Sequence, residues 1–492
     1  MSEKQYITPI AMTHTAQTDV TEDFELPEYQ AEVRRVAGVQ CSVTRDNAFL
    51  EDNTVEVSGC VLYTVVYLGG EGGLCSVPFF SQWSAKVPLP EKGAGAGIGV
   101  EDLHMLCEGE NVTCRVTGPR KLTLSARVKV RCAALGEVDC GTVEAADAVY
   151  RMEEVPVVRM KTCRITGNVS GETGGGKVIS CRGAVQVTEA RRTAEGIAVT
   201  GEGTVRFLVQ GDGGSYVPVR SRMPIAEVIP CPKPLWESGA GTENVTAVGK
   251  CAALTVTEGE DGVIRWEMEY DLEGTLVGEG RSVRAADGYC TTHADTPVFR
   301  QADAVTGGRC IRGQVTLTGE KTVSGAAENL QFLYGWGRGV FEKGELLPGG
   351  NRMLLTGTAY CTALLTGNGD VTAEEVSLPI RYECDFADLP ESAESGTPDC
   401  RCSFTVWDVG GHLEGNVLHL HAEAGCGGIV LFASPCRWLS ELTVDETAPL
   451  PKPKPAVVLY TPDPGETLWD VQKRYRTEDV TETEGKFVIC KR

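Results

Sequence analysis

Apolar and polar residues alternate with a period of two along most of this chain, and one form of the alternation returns three times around a glycine. It reads Val57-x-Gly59-x-Val61-x-Tyr63-x-Val65-x-Tyr67, then Val199-x-Gly201-x-Gly203-x-Val205-x-Phe207-x-Val209, then Leu355-x-Gly357-x-Ala359-x-Cys361-x-Ala363-x-Leu365. Alternate side chains of a strand point to opposite faces, so each run predicts a half-buried strand. A glycine-containing turn follows each (Gly69 to Gly73, Gly211 to Gly214, Gly367 to Gly369), and then a strand carrying Ser81-Gln82-Trp83, Ser221-Arg222-Met223-Pro224 or Ser377-Leu378-Pro379. Gly59, Gly201 and Gly357 are the structural positions of the motif, expected where a neighbouring side chain or backbone closes in.

The same parts recur around these strands. Val39 to Val43, Ala184 to Val187 and Gly313 to Leu317 alternate ahead of them, and in the third copy extra residues from Asn329 to Gly349 are expected to intervene. Proline-rich breaks follow at Pro88 to Gly93, Pro230 to Pro234 and Leu389 to Pro398, where a central strand cannot continue. A last pair of alternating runs ends each copy: Val112 to Val116 with Leu122 to Val130, Ala252 to Val256 with Ile264 to Leu272, and Phe404 to Val406 with Leu418 to Ala424. Copies this long are whole domains rather than solenoid units. The expected fold is mainly β, with three tandem antiparallel β-sandwich-like repeats of short strands in series at 25–152, 153–296 and 297–447. Residues 1–24 are expected to be an N-terminal tail holding His14.

The chain has 492 residues, 46 Lys and Arg against 68 Asp and Glu, and a formal charge of −22, which opposes any non-specific grip on nucleic acid or anionic lipid. The N-terminus, Met1 to Ile7, shows no basic start followed by an apolar run, and no window is long and apolar enough for a spanning helix. A cytoplasmic protein is expected. Its 20 cysteines include no CxxC; Cys400-x-Cys402 and Cys107-x6-Cys114 are the nearest pairs. They are small packed thiols or thiols that crosslink chains in a later, oxidising setting.

Candidate chemistry is sparse. Gly171 to Val178 almost spells a phosphate-binding loop, but Val178 stands where Ser or Thr would hold magnesium and a strand follows, so a hairpin turn is expected. Gly93 to Gly99 lacks the dinucleotide-binding spacing and reads as a linker. His419 and His421 share a strand face with His412 across a hairpin and Cys426 near, a pattern read as a solvated face, with an incidental metal site as the alternative and no metal assigned. No G-x-S-x-G elbow occurs, and no catalytic residues or cofactor are assigned.

From Ala448 to Pro455 the chain becomes a stiff Pro/Lys tether, bounded here as 448–456, ahead of a small module at 457–492. There Thr467-x-x-Asp470 can cap a helix carrying Leu468, Val471 and Tyr475 on one face.

Tyr460 to Tyr475, with Gly465-Glu466-Thr467-Leu468-Trp469-Asp470 at its centre, resembles the first strand and helix of a LysM domain, and Gly485 to Ile489 resembles its closing strand. Only Arg476 to Glu484 stands where that family has a second helix, so one wall of its glycan groove is missing. The V-x-G strand with a following S-x-x-P resembles SPOCS domains. Three of these before a LysM-like end resemble the spore coat and cortex morphogenetic proteins of endospore-forming Firmicutes. The resemblance implies a non-catalytic assembly protein at the forespore surface, in the mother-cell cytoplasm. It would link other coat proteins to a coat-basement ATPase scaffold of the stage IV sporulation protein A kind, with possible self-association. It implies a docking tail, expected to seat on a protein partner or on the third repeat, with Gly465, Thr467, Leu468, Trp469, Asp470 and Tyr475 as contact residues. The alternative is a peptidoglycan- or carbohydrate-binding protein stacking sugar on the tail or on Trp83, Trp236 and Trp336.

Overall fold

The computed structural model describes the chain apart from residues 1–5, 8–12, 53, 71, 89–98, 137, 142–143, 212, 232, 237–241, 260–261, 324–329, 350, 368–369, 387–388, 390–397, 452–455, 484 and 492. The 93–98 part of the glycine-rich linker, most of the third proline-rich break and the 452–455 part of the tether lie outside the described residues. The fold is mainly β, with one α-helix among the described residues, and its strands pair antiparallel.

Six strands recur in one order three times, lettered A to F within each repeat. In the first repeat A is Thr13–Glu25, B is Val33–Val43 with its continuation Asn47–Glu51, C is Thr54–Gly69, D is Leu74–Pro88, E is Leu103–Gly118 and F is Lys121–Ala134. In the second, A to F are Ala148–Gly174, Lys177–Arg192, Gly196–Gln210, Tyr216–Pro230, Thr242–Glu258 and Val263–Cys290. In the third they are His293–Thr322, Gln331–Leu346, Arg352–Gly367, Asp370–Asp385, Asp399–Glu414 and Val417–Pro449. One sheet has the order B-C-D, the other A-F-E. Each repeat buries a core drawn from both sheets, so the sheets face one another as a sandwich.

The glycine motif has one physical cause in all three repeats. Strand B departs from regular pairing opposite Gly59, Gly201 and Gly357: after Val43, after Val187 and after Phe341. There its backbone swings toward strand C, and a Cβ on the glycine would collide with the carbonyl oxygen of Thr44, Gln186 or Val340. Only a residue without a side chain fits beside such a bulge.

Several expectations change. The N-terminal residues 13–25 are not a tail but strand A, paired along the whole of Thr13–Glu25 with strand F of the first repeat, and His14 lies on it. Gly313 to Leu317 belongs to strand A of the third repeat; strand B there is Gln331–Leu346, so the residues read as an insertion are the missing strand. The strands are long rather than short, reaching 33 residues in Val417–Pro449. That strand also passes the boundary expected at 447, with the Leu450 amide donating to the Thr292 carbonyl at 2.8 Å. The Gly171 to Val178 segment is no hairpin: it joins strands that do not pair and carries the chain round a corner from sheet A-F-E to sheet B-C-D.

The repeats do not sit in series but pack around one centre. Val66, Leu208 and Leu364, each seven residues after its motif glycine, meet there with Leu68, Leu74, Ile179, Tyr334 and Trp336. Each pair of repeats also exchanges polar contacts. Gln40 Nε2 donates to Ser180 Oγ at 3.3 Å, Arg182 donates to the Gly337 carbonyl at 2.9 Å, and Arg338 donates to the Gly109 carbonyl at 3.3 Å.

Gly201→Val and Gly357→Val are each expected to destabilise their own sandwich by about 1–3 kcal/mol, the usual cost of forcing extra atoms into a packed position. Denaturant unfolding checks this; a midpoint equal to wild type would show that strand B relaxes without cost.

Candidate functional site

The C-terminal module is a three-stranded sheet, Ala456–Tyr460 beside Lys486–Lys491 beside Val480–Thr483, with the helix Leu468–Tyr475 packed on it. The segment without a second helix supplies the edge strand Val480–Thr483. Thr467 starts the helix as expected: its backbone amide donates to Asp470 Oδ2 at 2.8 Å while its hydroxyl oxygen accepts from the Asp470 amide at 3.4 Å. Val471 is fully buried against Phe487 and Ile489, with Tyr475 partly buried beside them. An eight-residue helix is unstable alone in water, and this small core together with the cap holds it.

The tail seats on the segment that joins the second repeat to the third. Trp469 Nε1 donates to Asp287 Oδ2 at 2.9 Å, and Lys473 Nζ donates to both oxygens of the same carboxylate at 2.7 Å. The Trp469 ring lies 5.3 Å from that of Tyr289, whose hydroxyl donates to the Thr477 carbonyl at 3.3 Å. Arg476 pairs with Asp295 and donates to the Cys290 carbonyl. Partial burial raises the Asp287 carboxyl, but the bonds from Lys473, Trp469 and the Gly288 amide outweigh it, and its pKa lies below the ordinary carboxylate value.

Of the expected contact residues, Trp469 is therefore engaged within the chain, Tyr475 belongs to the module core, and Thr467 and Asp470 cap the helix while staying exposed. Gly465 sits in an exposed turn at φ +87°, a conformation that favours glycine, and Leu468 remains 39% exposed rather than joining the buried face. Sequence reasoning missed Asp287, Tyr289 and Asp295; they sit in strand F and its junction, nearly two hundred residues upstream, with no local pattern to mark them.

A second concave feature lies where the repeats meet. A cleft of about 530 Å³ is lined mainly by strands B and E of all three, among them Gln40, Arg182, Lys250, Arg338 and Phe404. Cys41, Cys107, Cys181 and Cys251 also line it. Burial pushes Cys41 and Cys251 up to about 12, so these thiols are protonated and weakly nucleophilic at neutral pH. Beside the cleft His104, Thr246 and Arg401 occupy one equivalent position on the three E strands, all buried. Burial pushes His104 down to about 4, which keeps its imidazole neutral at neutral pH. None of the twenty cysteines is fully exposed or paired in a disulfide. No helix among the described residues is long and apolar enough to cross a membrane.

Because the Asp287 pKa is lowered by docking, its contribution is present above the ordinary value of 3.8 and is lost as the pH falls through the folded value. In a chain labelled with 5-fluorotryptophan, the Trp469 resonance, assigned from Trp469→Phe, is expected to keep its docked shift at neutral pH and lose it in acid. Asp287→Asn is expected to abolish that acid transition. An unchanged titration in the variant would show that Asp287 does not hold the tail.

No family model, no curated protein and no solved structure matches this chain.

Proposed function

We propose that this chain is a non-catalytic structural protein of the endospore envelope, linking a coat-basement scaffold to the forespore surface through its repeats and its small C-terminal module. The observation that carries the reading is how the fold disposes its surfaces. Strands B and E of each repeat turn inward to the shared cleft, joined at the centre by the first residues of the D strands, while the A strands and the rest of the D strands form the other margins of their sheets. Unpaired strand margins are natural pairing surfaces, and three copies on one body turn weak contacts into avidity. Phe80, Val217 and Val228 add exposed apolar side chains to D strands.

The C-terminal module supports the same reading. Val457 and Leu459, 73% and 64% exposed, lie on the outer face of its edge strand Ala456–Tyr460, while Val458 between them packs inward. They give a partner an apolar surface that stays open while Trp469 is held on the body, and Leu468 is exposed separately at the start of the helix. The likeness to SPOCS repeats and to a LysM end supplies the setting, a coat scaffold of the stage IV sporulation protein A kind. Sugar stacking finds less support: Trp83 and Trp336 are buried, and Trp236 lies beneath the Arg159 guanidinium at 4.0 Å.

In sporulating cells of the source organism, a fluorescent fusion of the whole chain is expected to form a shell around the forespore. A version ending at Pro451, which keeps the last strand complete, and the Val457→Glu, Leu459→Glu double variant are both expected to disperse. A shell that survives both would hand recruitment to the repeats. Label on the vegetative wall or throughout the cytoplasm would sink the reading.

A further inference from the structure

Strand E of the third repeat turns into strand F through Gly415 and Asn416, and the register of this hairpin sets His412 directly opposite His419. On the other side of strand F the same His419 stands opposite Glu320 of strand A. Three neighbouring strands thus place His412, His419 and Glu320 in one row, with Glu414 two residues beyond His412 on the same face. The two imidazole rings stack at 5.1 Å between centroids with planes 14° apart. His412 Nε2 lies 3.4 Å from one oxygen of Glu414, and His419 Nε2 lies 3.8 Å from the other. Ligand-type atoms of His412, Glu414 and His419 all fall within 4.8 Å of one another.

The second nitrogen of His419 makes this more than a cluster of polar groups. Its Nδ1 lies 3.2 Å from a Glu320 oxygen while its Nε2 is the nitrogen near Glu414, so the Glu320 carboxylate favours the tautomer with the proton on Nδ1 and leaves Nε2 as the ligand atom. A carboxylate fixing a histidine tautomer from behind is the arrangement that orients imidazole ligands toward a metal. We propose that His412, His419 and Glu414 form a binding site for a borderline divalent cation of the zinc class, with Glu320 as the positioning residue behind His419. Two imidazoles and one carboxylate suit zinc, cobalt or nickel better than magnesium or calcium, which favour all-oxygen shells. Three protein ligands leave a coordination position for water or for a group from another molecule. His421 shares the strand face but stands opposite Gly410 and outside the cluster, and Cys426 is buried in the core.

The full-length chain, stripped with chelator, is titrated with Co2+ and followed by visible d–d absorption. The wild type is expected to develop bands that saturate at a single equivalent and are displaced by Zn2+. His412→Ala and His419→Ala are each expected to lose the bands, and His421→Ala to keep them. Glu320→Gln is expected to keep the spectrum but weaken binding about 10–100-fold, as loss of an outer carboxylate does elsewhere. Both histidines lie on a hairpin surface, and far-ultraviolet circular dichroism checks that each variant stays folded. Absence of bands in the wild type, or bands that survive loss of both histidines, would overturn the site. Unchanged affinity in Glu320→Gln would overturn the positioning role.

Discussion

The architecture depends on a short break in the period-two pattern of each C strand. Over most of its length the strand buries one face, but near its end both faces are covered: Val65 to Leu68, Phe207 to Val209 and Ala363 to Leu365 are buried without interruption. A strand buried on both faces must have structure on both sides. One side is the partner sheet of its own sandwich; the other is the neighbouring repeats, through Val66, Leu208 and Leu364. Burying a residue of this size contributes about 1.5–3 kcal/mol, and every repeat brings one to the same point. The three sandwiches are thereby tied by the hydrophobic effect before any polar contact is counted.

The polar contacts then decide how the repeats face one another. Apolar packing is nearly indifferent to small rotations, whereas a buried guanidinium must find acceptors in fixed directions. Arg182 reaches the Gly337 and Val406 carbonyls, and Arg206 reaches those of Gly335 and Val409 while pairing with Asp408. Gly335 and Gly337 lie on strand B and Val406 and Val409 on strand E, the margins of their sheets, where carbonyls facing away from the sheet have no partner strand. The free margins of one repeat thereby support its joint with the next.

This explains what the sequence made legible and what it hid. The alternation around Gly59, Gly201 and Gly357, the breaks at proline, the capped helix at Thr467 and the mainly-β fold follow from local rules of period and turn chemistry. The shared centre does not, because Val66, Leu208 and Leu364 fall on the off-phase of each alternation, where the period-two reading assigns solvent. Strand A of the first repeat was hidden for a similar reason: Thr13–Glu25 is an edge strand rich in Thr, Asp and Glu, and only its pairing with Lys121–Ala134 shows its place. Asp287 carries no local mark at all. Glu320 and Glu414 likewise look like ordinary surface acids until the register sets them beside His419.

The tail is held on the body by a handful of polar contacts. It is joined to the body by a short Pro/Lys-rich stretch, so docking is intramolecular and the effective concentration is of the order of millimolar. A latch of about 4 kcal/mol, equivalent to a millimolar dissociation constant, is enough to keep such a module closed about half the time. Charge-assisted hydrogen bonds contribute about 1.5–3 kcal/mol each. The bonds of Trp469 and Lys473 to Asp287, with Arg476 on Asp295, therefore suffice to hold it closed without making it permanent. A partner that competed for these groups would need to supply only a few kcal/mol to lift the helix. The same groups would then be exposed on both surfaces, giving the partner two carboxylates on the body and an indole with two cations on the tail.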